Sequence, residues 1–232
     1  IGYDDDINQT PLYIKQAFEI ADILAPDLKL IINQHGSMET AMWDKIKETI
    51  FYLRNLGLRV DAIGWQAHVN AGWENEGNNI EKLKSLIEWA HDNDLEFHVT
   101  ENNAWLQSWE WDDSNLNPVS DLEREKNFEK QGETFAAIVR TLLPYRKTGV
   151  VTWNLWHIQD DECQGYKWGK SGCLWTTDGK PKSGYYQVQR VLELGEDSAK
   201  YDVQLKVVDK DTRDTLKAFH AHVNNETYQS DN

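Results

Sequence analysis

The 232-residue sequence predicts an α/β fold: the C-terminal half of a (β/α)8 TIM barrel, about strands five to eight, followed by the start of a β-rich module. Three observations lead there. Helix and strand patterns alternate strictly to about residue 195, as a parallel sheet with helices outside requires. Short apolar runs each end in polar groups that can bind or react: Asn33, Gln34 and His35, then Gln66 and His68, then Glu101, then Trp153, Asn154, Trp156 and His157. Strands that deliver such side chains at their C-terminal ends form the active sites of β/α barrels. The alternative, a doubly wound open sheet, normally shows a glycine-rich turn after a strand, and none is present. A closed barrel needs eight strands and ~250 residues, so this pattern accounts for half of one.

Thr10-Pro11 opens the first helix, Thr as cap and Pro at the first helical position, and Pro26 ends it. Leu28–Ile32 is compactly apolar and reads as a buried parallel strand. Residues 38–56 form an amphipathic helix closed by Gly57. Val60–Gln66 is the next strand. Ile80, Leu83, Leu86, Ile87 and Ala90 recur at helical spacing over 79–92. Leu95–Thr100 is a strand. Ser120 and Glu123 make a capping box for a helix reaching about Leu143. Gly149–Leu155 is a strand and Ser183–Leu194 the last helix. Residues 196–232 change character. Tyr201–Asp209 alternates with period two and Ala218–Val223 reads as a second strand, so this part looks like a linker and the truncated start of an Ig-like or similar β module.

Composition narrows the function classes. Hydrophobic residues at 40% and charged residues at 27% are ordinary for a globular protein. The net charge of −15 repels phosphate backbones, so no nucleic-acid partner is expected. No apolar run approaches the ~20 residues of a membrane span, so no membrane partner is expected. The N-terminus, Ile-Gly-Tyr-Asp-Asp-Asp, lacks a signal peptide and reads as the middle of a gene product. The 11 tryptophans stand out, since flat indoles stack on apolar faces such as the C–H faces of sugar rings. Cys163 and Cys173 read equally as two thiols in a loop or as one disulfide of an exported protein. Two Cys and seven scattered His give no zinc spacing, and no metal or cofactor is expected.

Glu101 is the candidate catalytic carboxylate, because a carboxylate ending a buried strand is costly without a role or partner. Asn102, Asn103, Trp105, Trp109 and Trp111 follow it, read as one loop that points to a site. On a continuous strand Gln66 and His68 would face one way. Trp43, Trp65 and Trp89 read as core. Trp73-Glu74-Asn75-Glu76 contains an Asn-Glu pair but sits in a polar loop, away from any strand end.

Together these segments resemble glycoside hydrolase family 10, the endo-β-1,4-xylanases, over about residues 11–194. PLYIKQAFEIADILAPDLKLIIN resembles the family's helix and fifth strand, and RVDAIGWQAH its sixth strand, Ile-Asp-Gly-Ile-Gly-x-Gln-Ser-His. FHVTEN resembles the seventh strand, Ile-Thr-Glu-Leu-Asp, whose Glu is the nucleophile. GVVTWNLWHIQD and DGKPKSGYYQVQRVL resemble the eighth strand and the closing segment. The specificity lies in five matches in order. The resemblance implies a retaining glycosidase acting on xylan or xylo-oligosaccharides, with Glu101 as nucleophile. It implies that His68 and Gln66 orient that carboxylate, that Asn33 and His35 line the cleft, and that Trp153, with Trp156 and Trp105, stacks on sugar.

The departures are His35 for a tyrosine, Ala67 for serine, Asn102-Asn103 for Leu-Asp, Asn154 for glycine, and Asp161 where a second tryptophan is usual, with Trp156 or Trp168 as substitutes. The family's acid/base lies at the end of strand four, upstream of Ile1. The isolated chain is therefore expected to be inactive and to aggregate without a complementary half. The complete protein is expected to be secreted or at the cell surface. A barrel hydrolase of β-glucan or cellulose, and a non-catalytic sugar-binding fragment, remain alternatives. The oligomeric state is open.

Overall fold

The computed structural model describes residues 2–3, 9–106, 121–160, 171–195, 220–223 and 226–229. The chain divides into two units, Ile1–Ser198 and Ala199–Asn232. The first contains helices α1 (Leu12–Leu24), α2 (Thr40–Asn55), α3 (Asn79–Asp92), α4 (Asp121–Leu142) and α5 (Ser183–Leu194). Its strands are β1 (Ile31–Gln34), β2 (Ala62–Trp65), β3 (His68–Asn70), β4 (Glu96–Trp105) and β5 (Val151–Leu155). Every pairing among them is parallel: β1 with β2, β2 and then β3 with β4, and β4 with β5. This is the sheet that the alternation of elements requires.

One face of the sheet carries the core. Ile32, Ile63, Trp65, Phe97 and Val99 pack in one cluster with Ile50 and Leu53 of α2, Leu83 and Ile87 of α3, Phe135 and Ile138 of α4, and Val188 and Val191 of α5. Full burial of such side chains is worth about 1.5–3 kcal/mol each, so this layer dominates the stability. Helices α4 and α5 meet at two glycines, where a Cβ on Gly132 would stand 2.8 Å from Gly184 Cα.

Three local expectations change. Pro11, not Thr10, takes the cap position of α1, and the helix begins at Leu12. β1 starts at Ile31 rather than Leu28, which is 64% exposed. The Arg59 guanidinium donates to the carbonyls of Ala25 and Leu28, holding that stretch as a turn against the end of α1. β4 runs on past Thr100 to Trp105, so Trp105 belongs to a strand and not to a loop. Ser120 of the expected capping box, Trp109, Trp111, Asp161, Cys163, Trp168 and the Tyr201–Asp209 run lie outside the described residues.

In the second unit, β6 (His220–Val223) and β7 (Glu226–Gln229) form an antiparallel hairpin. No helix among the described residues is long and apolar enough to cross a membrane.

Candidate active site

The position of Glu101 follows from a bulge in β4. From Val99 to Asn103 the chain takes four steps, while its neighbour takes three from Trp65 to His68. On the other side, Val99 to Asn102 takes three steps against two from Trp153 to Leu155. Both flanking strands therefore locate one extra residue at Thr100-Glu101. Phe97 and Val99 are fully buried on the helix side. Strict alternation would send Glu101 there too, whereas the bulge puts Glu101 beside Thr100 on the opposite face and brings Asn102 into the buried layer.

Asn33, at the end of β1, documents that turn because it touches both residues. Its Nδ2 donates to Glu101 Oε1 at 3.1 Å, and its Oδ1 accepts from Thr100 Oγ1 at 2.9 Å. Gly64 makes room for this pairing, since a Cβ there would lie 2.7 Å from Asn33 Oδ1 and 3.2 Å from Thr100 Cγ2. The other carboxylate oxygen, Oε2, lies 3.2 Å from His68 Nε2. The opposite ring nitrogen, Nδ1, lies 2.9 Å from Asn103 Oδ1. Trp105 stacks on the imidazole, with centroids 5.8 Å apart and planes 8° off parallel. Trp156 meets it edge-on at 5.9 Å and 87°. The carboxylate is thus fixed at each oxygen by a residue from a different strand, beside a half-exposed indole.

Gln66 and His68 do not share one strand. Ala67 adopts φ +60° between β2 and β3, a left-handed conformation that costs a non-glycine residue on the order of 1–3 kcal/mol. Asn102 holds it there, donating its Nδ2 to Ala67 O at 2.8 Å. His68 reaches Glu101 as a result. Among the described residues the hydrogen bonds to Glu101 come from Asn33 and His68, while the Gln66 N–H pairs with Gln34 O. His35 is exposed, and its ring bonds the Gln34 side chain.

Trp153 requires a correction. It sits in register with Val99, meets Phe135 of α4 edge-on at 6.3 Å, and donates its indole N–H to buried Asn102 Oδ1 at 2.8 Å. It therefore faces the helices, and the residues of β5 turned to the other face are Thr152 and Asn154, whose Nδ2 donates to Thr152 Oγ1. Among the described residues, the exposed indole at the strand ends is Trp156, 45% exposed. Trp43 and Trp65 are buried, as expected of core. Glu74 accepts a hydrogen bond from Thr134 Oγ1 at 2.7 Å, which ties it to α4.

Further down the same face, Glu96 meets Lys29 at 3.1 Å and His98 at 3.1 Å, and His98 also contacts Thr152. Burial pushes the Glu96 carboxyl up, but the bonds from Lys29 and His98 outweigh it and hold the group below the usual carboxylate range. Among the described residues no group of three or more His, Cys, Asp or Glu is arranged to hold a metal ion.

Sequence reasoning identified Asn33, His68, Glu101 and Trp156, which the fold brings together. It noted Asn103 as part of the loop after Glu101 and as a departure from a pattern, without giving it a partner. The available signal was its spacing, two residues past Glu101 and hence on the same face beyond the bulge.

The model of Glycosyl hydrolase family 10 matches residues 8–191. Endo-1,4-beta-xylanase A of Caldicellulosiruptor saccharolyticus is 28% identical over 186 residues, covering 77% of this chain and 51% of that protein. The native xylanase 10B of Thermotoga maritima superposes with a TM-score of 0.64 at 26% identity, covering 81% of this chain and 53% of the other. Xylanase 10B of Thermotoga petrophila RKU-1, solved with xylobiose, gives 0.62 at 25% identity, covering 79% and 52%. The chain spans about half the length of these relatives. The match covers residues 8–191, most of the first unit: the chain belongs to glycosyl hydrolase family 10.

Proposed function

We propose that this chain carries the nucleophile half of the active site of a retaining endo-β-1,4-xylanase. The observation that supports it is the bulge-turned Glu101, held at Oε1 by Asn33 and facing His68 at Oε2. Glu101 attacks the anomeric carbon as the glycosidic bond breaks. A second carboxylate, from the half of the relatives' length that this chain does not cover, protonates the leaving oxygen about 5–5.5 Å away. That group then deprotonates the water that releases the sugar from Glu101. Asn33, His35 and Gln66 line the cleft from the strand ends, and Trp156 offers its exposed indole to a sugar face. Trp105 acts through its stack on His68. The substrate is xylan or xylo-oligosaccharide, in line with the xylobiose bound by the Thermotoga petrophila relative. A polymeric substrate of this kind goes with a secreted or cell-surface protein.

The test is mass spectrometry of the complete enzyme after treatment with a 2-fluoro xylobioside. The label is expected on Glu101, and labelling of any other residue sinks the assignment. The chain alone is expected to leave xylan intact, because one carboxylate of the pair does no leaving-group chemistry. Turnover of xylan by this chain alone would overturn that. Comparing xylan, carboxymethyl cellulose and mixed-linkage glucan on the complete enzyme separates a xylanase from a glucanase.

A further inference from the structure

We propose that Asn103 is a positioning residue whose carboxamide lets His68 lose a proton while its Nε2–H stays on Glu101. The inference deepens the reading of the site above and rests on it for its catalytic meaning. The imidazole sits in line between two groups, Asn103 at Nδ1 (2.9 Å) and Glu101 at Nε2 (3.2 Å). Trp105 covers one face of the ring and Trp156 stands edge-on to it, which holds the ring in that line. Asn103 is 3% exposed. Among the described residues, the titratable groups around the ring are Glu101 on β4 and, beyond Trp156, His157. The group from the β1 side, Asn33, is neutral and reaches Glu101, not the ring.

A carboxamide presents either an acceptor or a donor, depending on which end of the amide faces its partner. With Oδ1 forward, Asn103 accepts from Nδ1–H of an imidazolium, and Nε2–H donates to Glu101. When Nδ1 gives its proton to solvent, a half-turn of the amide brings Nδ2–H forward to donate to the bare Nδ1. The remaining ring proton then stays on Nε2, still donated to the carboxylate. An aspartate at 103 has only acceptors when ionised. It would set lone pairs against lone pairs in the neutral ring and favour the imidazolium. The pattern that FHVTEN resembles has aspartate at this place, so residue 103 is where this chain changes how the histidine carries charge.

The experiment is a long-range ¹H–¹⁵N spectrum of the histidine rings of the complete enzyme between pH 5 and 9, without substrate. The His68 signals are assigned by their loss in His68→Asn. The wild type is expected to convert from imidazolium to the neutral Nε2–H tautomer. Asn103→Asp is expected to hold the imidazolium to a pH roughly 1–3 units higher, the effect of an added opposite charge nearby. A neutral Nδ1–H tautomer in the wild type overturns the proposal, as does an imidazolium that persists to pH 9 in the wild type. The wild-type spectrum decides even if the variant misfolds. Because no sugar is present, a failed Glu101 label would sink the glycosidase reading and leave this result standing.

Discussion

Lys182→Met tests how the end of β4 is held in place. Lys182 Nζ lies 2.8 Å from Asp160 Oδ1 and 2.7 Å from Oδ2, with the two side chains 0% and 5% exposed. Asp160 Oδ1 also accepts the Cys173 N–H, and Lys182 reaches Ser171 O and Gln131 Oε1. Gln131 Nε2 donates to Ala104 O, and Ala104 N donates to Gly172 O. Gly172 lies so close to Trp105 that a Cβ would stand 2.8 Å from its Cδ1. The buried pair therefore clamps residues 171–173 beside the indole that stacks on His68. Methionine keeps most of the lysine volume, so little of the effect comes from a cavity. What remains is a buried carboxylate without its cation, and breaking such a pair costs about 3–5 kcal/mol. Adding Asp160→Asn removes the stranded charge and is expected to recover more than half of the loss. Urea unfolding of the complete barrel, followed by tryptophan fluorescence, gives the three stabilities, and the double-mutant cycle gives the coupling. A Lys182→Met loss under ~1 kcal/mol, or a double variant as unstable as the single one, would refute the clamp.

Two more predictions separate neighbouring features of the same sheet. Trp153→Ala is expected to cost about 3 kcal/mol of stability, through lost packing on Phe135 and an orphaned Asn102. Trp156→Ala should cost under ~1 kcal/mol of stability but raise KM for xylo-oligosaccharides on the order of tenfold. Urea melts and steady-state kinetics on both variants would contradict this if the two effects were exchanged. Glu96 predicts an acid limb. Its folded pKa is depressed, so its contribution is complete above the unfolded value of about 4.3 and fades as pH falls through the lower folded value. Glu96→Gln should flatten stability against pH in that window, and an unchanged slope would exclude the Lys29–Glu96–His98 cluster as its source.

The elements legible in the sequence are those fixed by local chemistry. Both bounds of α3 and of α5 fall where the apolar stripes place them, because a helix closes its hydrogen bonds within itself. The start of β1 was not legible. Leu28 is as apolar as Ile32, yet its N–H closes a turn onto Ala25 O and the distant Arg59 donates to its carbonyl. Strand character depends on partners far along the chain, and a run of apolar residues does not name them.

The site depended on that same non-local information. Reading by twos along Phe97, Val99 and Glu101 puts all three on one face, which would bury the carboxylate among Phe135 and its neighbours. Nothing in FHVTENN itself announces the extra residue. It shows only in the registers of β2, β3 and β5 together. The same registers decide Trp153. Alternation in Val151-Thr152-Trp153-Asn154 separates two faces without saying which one meets the helices, and the pairing of Trp153 with Val99 settles it. Asn102 links the two decisions: it accepts from the Trp153 indole and donates to the left-handed Ala67 that starts β3 at His68. One buried amide thus coordinates the bulge that aims the carboxylate with the kink that aims the histidine. Its replacement by leucine, the residue the family pattern carries there, should loosen both at once.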